Sequence, residues 1–476
     1  VAIDNVLYAM NPSGVIQIAH PLQGTQFDGN GNLVPFQFGA LFNRARPSAL
    51  MVGGDPSVQD IYGFNQTELV VPTSYYSLLT HATFDLTDSI QLSAELSFAH
   101  VVGGPAKGAW HSDQNGAIRI QRDNAYLTPQ TAAMMDAVGA TFLPVSRSEP
   151  ELGGPETKSY NDTWRFFVGL EGDLGANWQW DAFYQYGNAN STVEGKNQRI
   201  VARWTQALDA VRAPAGIPGI AAGTIVCRST LAAPTNGCVP VNIMGPGTIS
   251  EAGRAWVNTT NGQTREFTQH SYAANLRGSP FETWAGEVSA AAGVEYRTFE
   301  SGGDADPLSK AGLLQQLTVS ALPFTEQKVT EGYLEVSVPL LRDSPLGQSL
   351  EVDAAVRRTS YSLSGDATTW KVGLVYEPTD EFLLRVTRSD DIRAPTPAEL
   401  NPNQTVRALT QADPKLGIQY QMPAYLGGNP NLALEQAETL TIGAVYQPSW
   451  LDNFRISLDY YDIQVSDAID VVSIPL

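Results

Sequence analysis

The chain has 476 residues, and only 16% of them are charged, against roughly 25% in ordinary soluble domains. A formal net charge of −20 argues against nucleic acid as a partner, because phosphate binding is built on Lys and Arg patches. No stretch approaches ~18 uninterrupted apolar residues, which excludes a transmembrane helix, while 42 glycines and 18 tyrosines suit a β-barrel whose apolar positions alternate with polar ones.

The opening VAIDNVLYAMNPSG has no basic or apolar leader pattern and no initiator Met, so either a leader has been removed or the chain starts inside something longer. Period-two alternation begins with Tyr76, Leu78, Ala82, Phe84 and Leu86 and returns at Ile90, Leu92, Ala94, Leu96 and Phe98. It continues with Trp164, Phe166, Val168 and Leu170, and with Trp178, Trp180, Ala182, Tyr184 and Tyr186. Further runs start at Leu334, Leu350, Trp370, Phe382, Leu440 and Phe454. In these strands charges such as Lys371, Arg385, Arg455 and Asp459 fall on the opposite parity. An Arg or Lys facing lipid at mid-depth costs about 2–4 kcal/mol, so lipid enforces this division more strictly than water does. Tight Asp-, Asn-, Pro- or Gly-rich connections (85 to 90, 171 to 178, 341 to 349, 377 to 382, 447 to 454) alternate with long ones at roughly 102 to 160, 190 to 262, 299 to 325 and 391 to 434. The expected fold is all-β: a transmembrane antiparallel barrel with long extracellular loops, of which roughly fourteen strands lie in this chain.

Cys227 and Cys238 are the only cysteines and bracket CRSTLAAPTNGC inside the longest loop. They read as a disulfide of an oxidising compartment; two free thiols are the alternative, and the spacing completes no zinc site. The five histidines form no metal-binding or catalytic pair, GGPAKG (103 to 108) is no phosphate loop, and GGDADPLSK (302 to 310) reads as a solvated acidic loop. No GxSxG occurs, so neither an enzyme nor a cofactor is proposed.

The C-terminal third carries a resemblance. TTWKVGLVYEPTDEFLLRVTRSDDIRAPTPAEL (368 to 400), GGNPNLALEQAETLTIGAVYQP (427 to 448) and FRISLDYYDIQVSDAI (454 to 469) closely resemble the barrel of TonB-dependent outer-membrane receptors. The matching positions, in the family's order, are Trp370, Arg388, Arg393, Pro395, Glu399, Asn429, Pro430, Asn431, Glu435, Asp459 and Tyr460. Upstream, Asn124 and Tyr126 of NAYL, the cysteine segment and residues 332 to 362 also look like this family. The resemblance implies a ~22-stranded barrel in the Gram-negative outer membrane, plugged by an N-terminal domain that takes energy from the TonB complex. It also implies an extracellular small-molecule ligand: a ferric siderophore, another metal chelate, or an oligosaccharide. The plug, its TonB-contacting segment and the last strands are expected outside residues 1–476, so the chain reads as an incomplete receptor barrel.

Glu95, Glu171, Asp181, Glu351, Asp353, Arg357 and Arg385 are the expected lumen-facing residues, lining the barrel or holding its plug. Arg393 and Glu399 are expected to fix the base of a long loop. A passive porin or surface adhesin is the rival reading, and a soluble β-sandwich enzyme a more distant one.

Overall fold

The structure is a computed structural model that describes residues 6–17, 20–40, 50–55, 68–175, 177–315, 319, 321–402, 405–413 and 418–470. Twelve strands form one antiparallel sheet in which each pairs with its neighbours in sequence. They are β1 (Thr73–Thr87), β2 (Ile90–Lys107), β3 (Glu156–Asp173), β4 (Trp178–Arg199), β5 (Asn258–Gly278) and β6 (Ser289–Ala305). The order continues through β7 (Leu322–Ser344), β8 (Gly347–Tyr361), β9 (Gly365–Thr379), β10 (Phe382–Arg393), β11 (Glu435–Tyr446) and β12 (Ile456–Ser466). β1 and β12 each have one neighbour, so among the described residues the sheet is not closed on itself.

Register explains the alternation. Val338, Val352, Leu374, Val386, Ile442 and Tyr460 stand side by side across six strands. The next row on the other face runs Ser337, Asp353, Gly373, Thr387, Thr441 and Tyr461. The apolar rows have no protein over them: Leu334, Val356, Val372, Leu374, Ile442 and Leu458 are all exposed. From Tyr76 to Leu86 these positions span about 33 Å along β1, or about 25 Å normal to a bilayer at the tilt usual for barrel strands. That matches the height of a lipid-facing band. Aromatic pairs such as Phe98 with Trp164 (4.1 Å) and Phe382 with Tyr446 (4.4 Å) lie on the same face.

The strands are longer than their alternating cores. β4 runs 22 residues and β7 runs 23, each overshooting the apolar band toward the end that carries the long connections. The connections expected at 102 to 160, 190 to 262, 299 to 325 and 391 to 434 therefore shrink to 108–155, 200–257, 306–321 and 394–434. The turn between Tyr361 and Gly365 is short although it lies at the long-connection end. Alternation did not reveal β5 and β6, because Phe267 and Phe299 lie on their polar face, in contact at 6.1 Å, while His270 lies on the apolar one.

The long connections are not open loops. His111–Gln121 and Phe142–Glu149 pair with each other and then with Val15–Ile16, Thr25–Phe27 and Leu33–Pro35 in a five-stranded sheet. Helices α1 (Pro129–Ala137), α2 (Val201–Leu208), α3 (Arg228–Ala232) and α4 (Glu251–Val257) complete a cap. α1 starts at Thr128, whose hydroxyl accepts the Thr131 N–H, with Pro129 in the first turn where its lost N–H is harmless. The cap has its own core, in which Phe27, Ile118, Ile120, Leu143, Trp204 and Ile243 are buried together. Residues 302 to 310, expected as a solvated acidic loop, end β6 and start a short helix, α5 (Pro307–Lys310), that Asp306 caps through the N–H groups of Leu308 and Ser309.

Candidate functional site

Two regions gather polar chemistry: the face of the large sheet opposite the apolar band, and the joint where the cap meets it. On the sheet face, Arg165 holds Glu95, with His81 4.0 Å from the same carboxylate, and donates to Gln185 Oε1 at 3.0 Å. Asn275 donates to Asp181 at 2.7 Å and accepts the Tyr333 hydroxyl at 2.9 Å. Gly293 permits that contact, since a Cβ there would overlap both Asn275 and Tyr333. Glu331 is buried between Arg357 at 3.1 Å and Arg297 at 3.4 Å, and Thr359 donates to it at 3.3 Å. Arg385 grips both oxygens of Asp459, at 2.7 and 2.9 Å.

Glu171 and Asp181 face each other in register and share the lining of one cavity near the short turns. Asp353 and Lys371 line a larger one of about 1190 Å³ together with Ser89, Arg277 and Glu335. Ser89 follows β1 and Lys371 lies in β9, so the sheet curls far enough to bring distant strands to one space. Glu351 accepts the Ser337 hydroxyl. All seven acidic and basic residues singled out on this face stand opposite the apolar rows. Glu331 and Arg297 escaped notice: Glu331 lies N-terminal to the alternation that starts at Leu334, and Arg297 is in β6.

At the cap joint, Arg199 at the end of β4 is bidentate to Asp113, with both contacts at 2.9 Å, and lies 4.6 Å over the Trp204 ring. The Trp204 indole N–H donates to Asp113 at 3.0 Å. Glu149 is fully buried, 3.5 Å from Arg199. Burial, reinforced by Asp113, pushes its pKa well above the usual value and outweighs the pull of Arg199 and Arg147. His111 is buried as well and donates through Nε2 to the Asn197 carbonyl at 2.7 Å. Desolvation, with Arg199 adding, lowers its pKa to about 4, so it is neutral. Nothing in the histidine spacing singled it out. Arg147, with no exposed surface, binds Glu151 at 2.6 Å and the Gly245 carbonyl at 3.2 Å, tying two connections together.

The remaining motif positions are spread over the molecule. The Asn124 side chain donates to the Leu208 carbonyl at 2.9 Å and accepts the Tyr126 N–H at 3.0 Å, pinning its turn to the end of α2. Cys227 and Cys238 form a disulfide beside α3. Arg228 bridges Asp209 and Asp123, which together raise its pKa. Trp370, Arg388 and Tyr460 are on the apolar face, Arg388 pairing with Glu438 at 3.4 Å. Arg393 holds Glu399 at 3.1 Å and Glu435 at 3.3 Å, and Glu399 closes a capping box with Thr396 just after Pro395, at helix α6 (Pro397–Leu400). The Thr396 N–H, with Arg393, holds the Glu399 carboxyl below its ordinary pKa. Asn429 donates its main-chain N–H to the Glu399 carbonyl at 2.7 Å, and its side chain accepts the Asn431 N–H across Pro430. The described residues contain no cluster of three or more metal-ligating side chains.

Residues 109–475 match the family described as TonB dependent receptor-like, beta-barrel. The chain belongs to that family. It is thus an outer-membrane β-barrel protein, and members of the family are receptors and transporters. No curated protein matches. Among solved structures, the RagAB peptide transporter is similar at 12% identity and a TM-score of 0.48, over 85% of this chain and 42% of that one. The siderophore receptor PirA from Acinetobacter baumannii gives 14% and 0.45, over 83% and 43%. The ferric enterobactin receptor PfeA from Pseudomonas aeruginosa gives 13% and 0.46, over 84% and 44%. The chain spans less than half the length of each of these structures.

Proposed function

We propose that residues 1–476 form part of the barrel of a receptor that imports a scarce solute with energy delivered through TonB. The observation that carries this reading is the family match over 109–475, and the two-faced sheet supports it. The apolar rows face lipid. The opposite face, with Glu95, Glu171, Asp181, Glu351, Asp353, Arg357 and Arg385, lines the lumen and receives a plug domain. The capped end faces outward and meets the solute first, and the Cys227–Cys238 disulfide stiffens it there. The solute class proposed first is a ferric siderophore, with other metal chelates and oligosaccharides as the competing classes. Arg393, Glu399 and Glu435 fix the root of the 394–434 connection and take no part in solute binding.

The test is uptake of radiolabelled ferric siderophores and labelled oligosaccharides by cells that carry or lack the gene, with and without TonB. Uptake that needs both the gene and TonB supports the proposal and names the ligand. Uptake that needs the gene and is indifferent to TonB points instead to a passive pore.

A further inference from the structure

On the apolar face of the large sheet a trough of about 580 Å³ interrupts the band. It exists because Ala274 in β5, Ala292 in β6 and Gly332 in β7 are small, while Leu276, Val294, Leu334 and Val356 stand along the same rows in register. A Cβ at Gly332 would meet nothing closer than 3.7 Å, so the gap above it is open. Leu276, Leu334 and Val356 form the apolar walls. Tyr272 and Tyr296 stand one row nearer the capped end, 6.3 Å apart.

Arg358 lines the trough beside Gly332, its partner in register. It donates to Asp366 at 2.7 Å and to Thr368 at 3.0 Å, and both members of the ion pair are more than half exposed. Lys328 lies on the same face, two such positions beyond Gly332 toward the cap. An apolar slot that ends in a guanidinium, set within a lipid-facing surface, has the chemistry of a site for one acyl chain under a phosphate.

We propose that this trough holds an acyl chain of a phosphorylated, multiply acylated glycolipid of the outer leaflet, with its phosphate on Arg358 in place of the exposed Asp366 carboxylate. The site is continuous with the lipid-facing band, and the choice of leaflet rests on the capped end facing outward, as proposed above. Filling the trough from within should expel the chain, because Ala292→Leu and Gly332→Val direct their added carbons into it.

The protein is purified from outer membranes in mild detergent and weighed intact by native mass spectrometry, before and after titration with lipid A or with phosphatidylethanolamine. The parent should retain one lipid A through washing and bind lipid A at least tenfold more tightly than phosphatidylethanolamine. Ala292→Leu combined with Gly332→Val should lose that preference while still migrating as a folded barrel on unheated gels. Arg358→Gln should weaken lipid A and leave phosphatidylethanolamine unchanged. Equal retention by parent and filled variant, or equal affinity for the two lipids, overturns the site. Failure of the membrane reading shows separately, as unpenalised insertion of Arg into the middle of the apolar band.

Discussion

Arg199 and Asp113 meet through two contacts of 2.9 Å, and the pair joins the end of a long barrel strand to a cap built from other parts of the chain. Arg199 is 2% exposed, so its side of the pair is held out of water. Arg199→Ala should therefore loosen the cap by about 3–5 kcal/mol, the range for removing one partner of a buried pair. Hydrogen exchange should show it as faster exchange in α1 and the 142–149 strand with β7–β11 unchanged. Arg199→Lys should recover only part of the loss, because an ammonium cannot make the bidentate contact or stack as flatly on Trp204.

His111 and Glu149 give the cap opposite pH responses. His111 is neutral in the fold with a pKa of about 4, so its contribution is present above the ordinary value of 6.5 and lost as pH falls toward 4. The full loss is roughly 3 kcal/mol. Glu149 has a raised pKa, so its contribution is complete below the ordinary value of 4.5 and lost as pH rises through the folded value. In hydrogen exchange between pH 4.5 and 8, His111→Gln should flatten the acid side of the cap profile. Glu149→Gln should flatten the alkaline side.

Gly443 lies directly beneath the Arg385–Asp459 pair. A Cβ there would stand 2.6 Å from Arg385 Nε and overlap the Asp459 carboxylate. Gly443→Ala should cost about 1–3 kcal/mol as an overpacked site, read as a lower temperature of heat-induced mobility shift on gels. Adding Asp459→Ala should relieve most of the clash, making the two changes strongly non-additive.

Leu374 sits in a row that is apolar across six strands. Leu374→Arg should cost about 2–4 kcal/mol in reversible folding into lipid vesicles. Lys371→Arg, on the opposite face, should fold into the same vesicles as well as the parent.

The Cys227–Cys238 bridge closes a stretch 11 residues in separation around α3. Replacing both cysteines with Ser should cost the local structure about 2–4 kcal/mol. Proteolysis should then cut within 228–237 while the rest of the cap stays intact.

Sequence alone determined the fold class of the large sheet. Side chains in a strand alternate with period two, and a lipid face tolerates so few charges that parity stays readable at Leu350, Val352, Ala354 and Val356 or at Phe382, Leu384 and Val386. The order of Trp370, Arg393, Glu399 and Glu435 carried the family, because an order of residues along the chain is legible without knowing their contacts. Tertiary structure decided the rest. The cap could not be read from local pattern, since Phe27, Ile118, Trp204 and Ile243 come from separate connections and become a core only when those connections are brought together. The partners of Arg199 and Glu331 are likewise distant in sequence, and nothing near either residue announces them. β5 and β6 were hidden because their polar face also carries phenylalanines, so parity lost its contrast where that face takes aromatic rings. Local periodicity records which solvent each face meets; contacts between distant segments are set by how the chain folds back on itself.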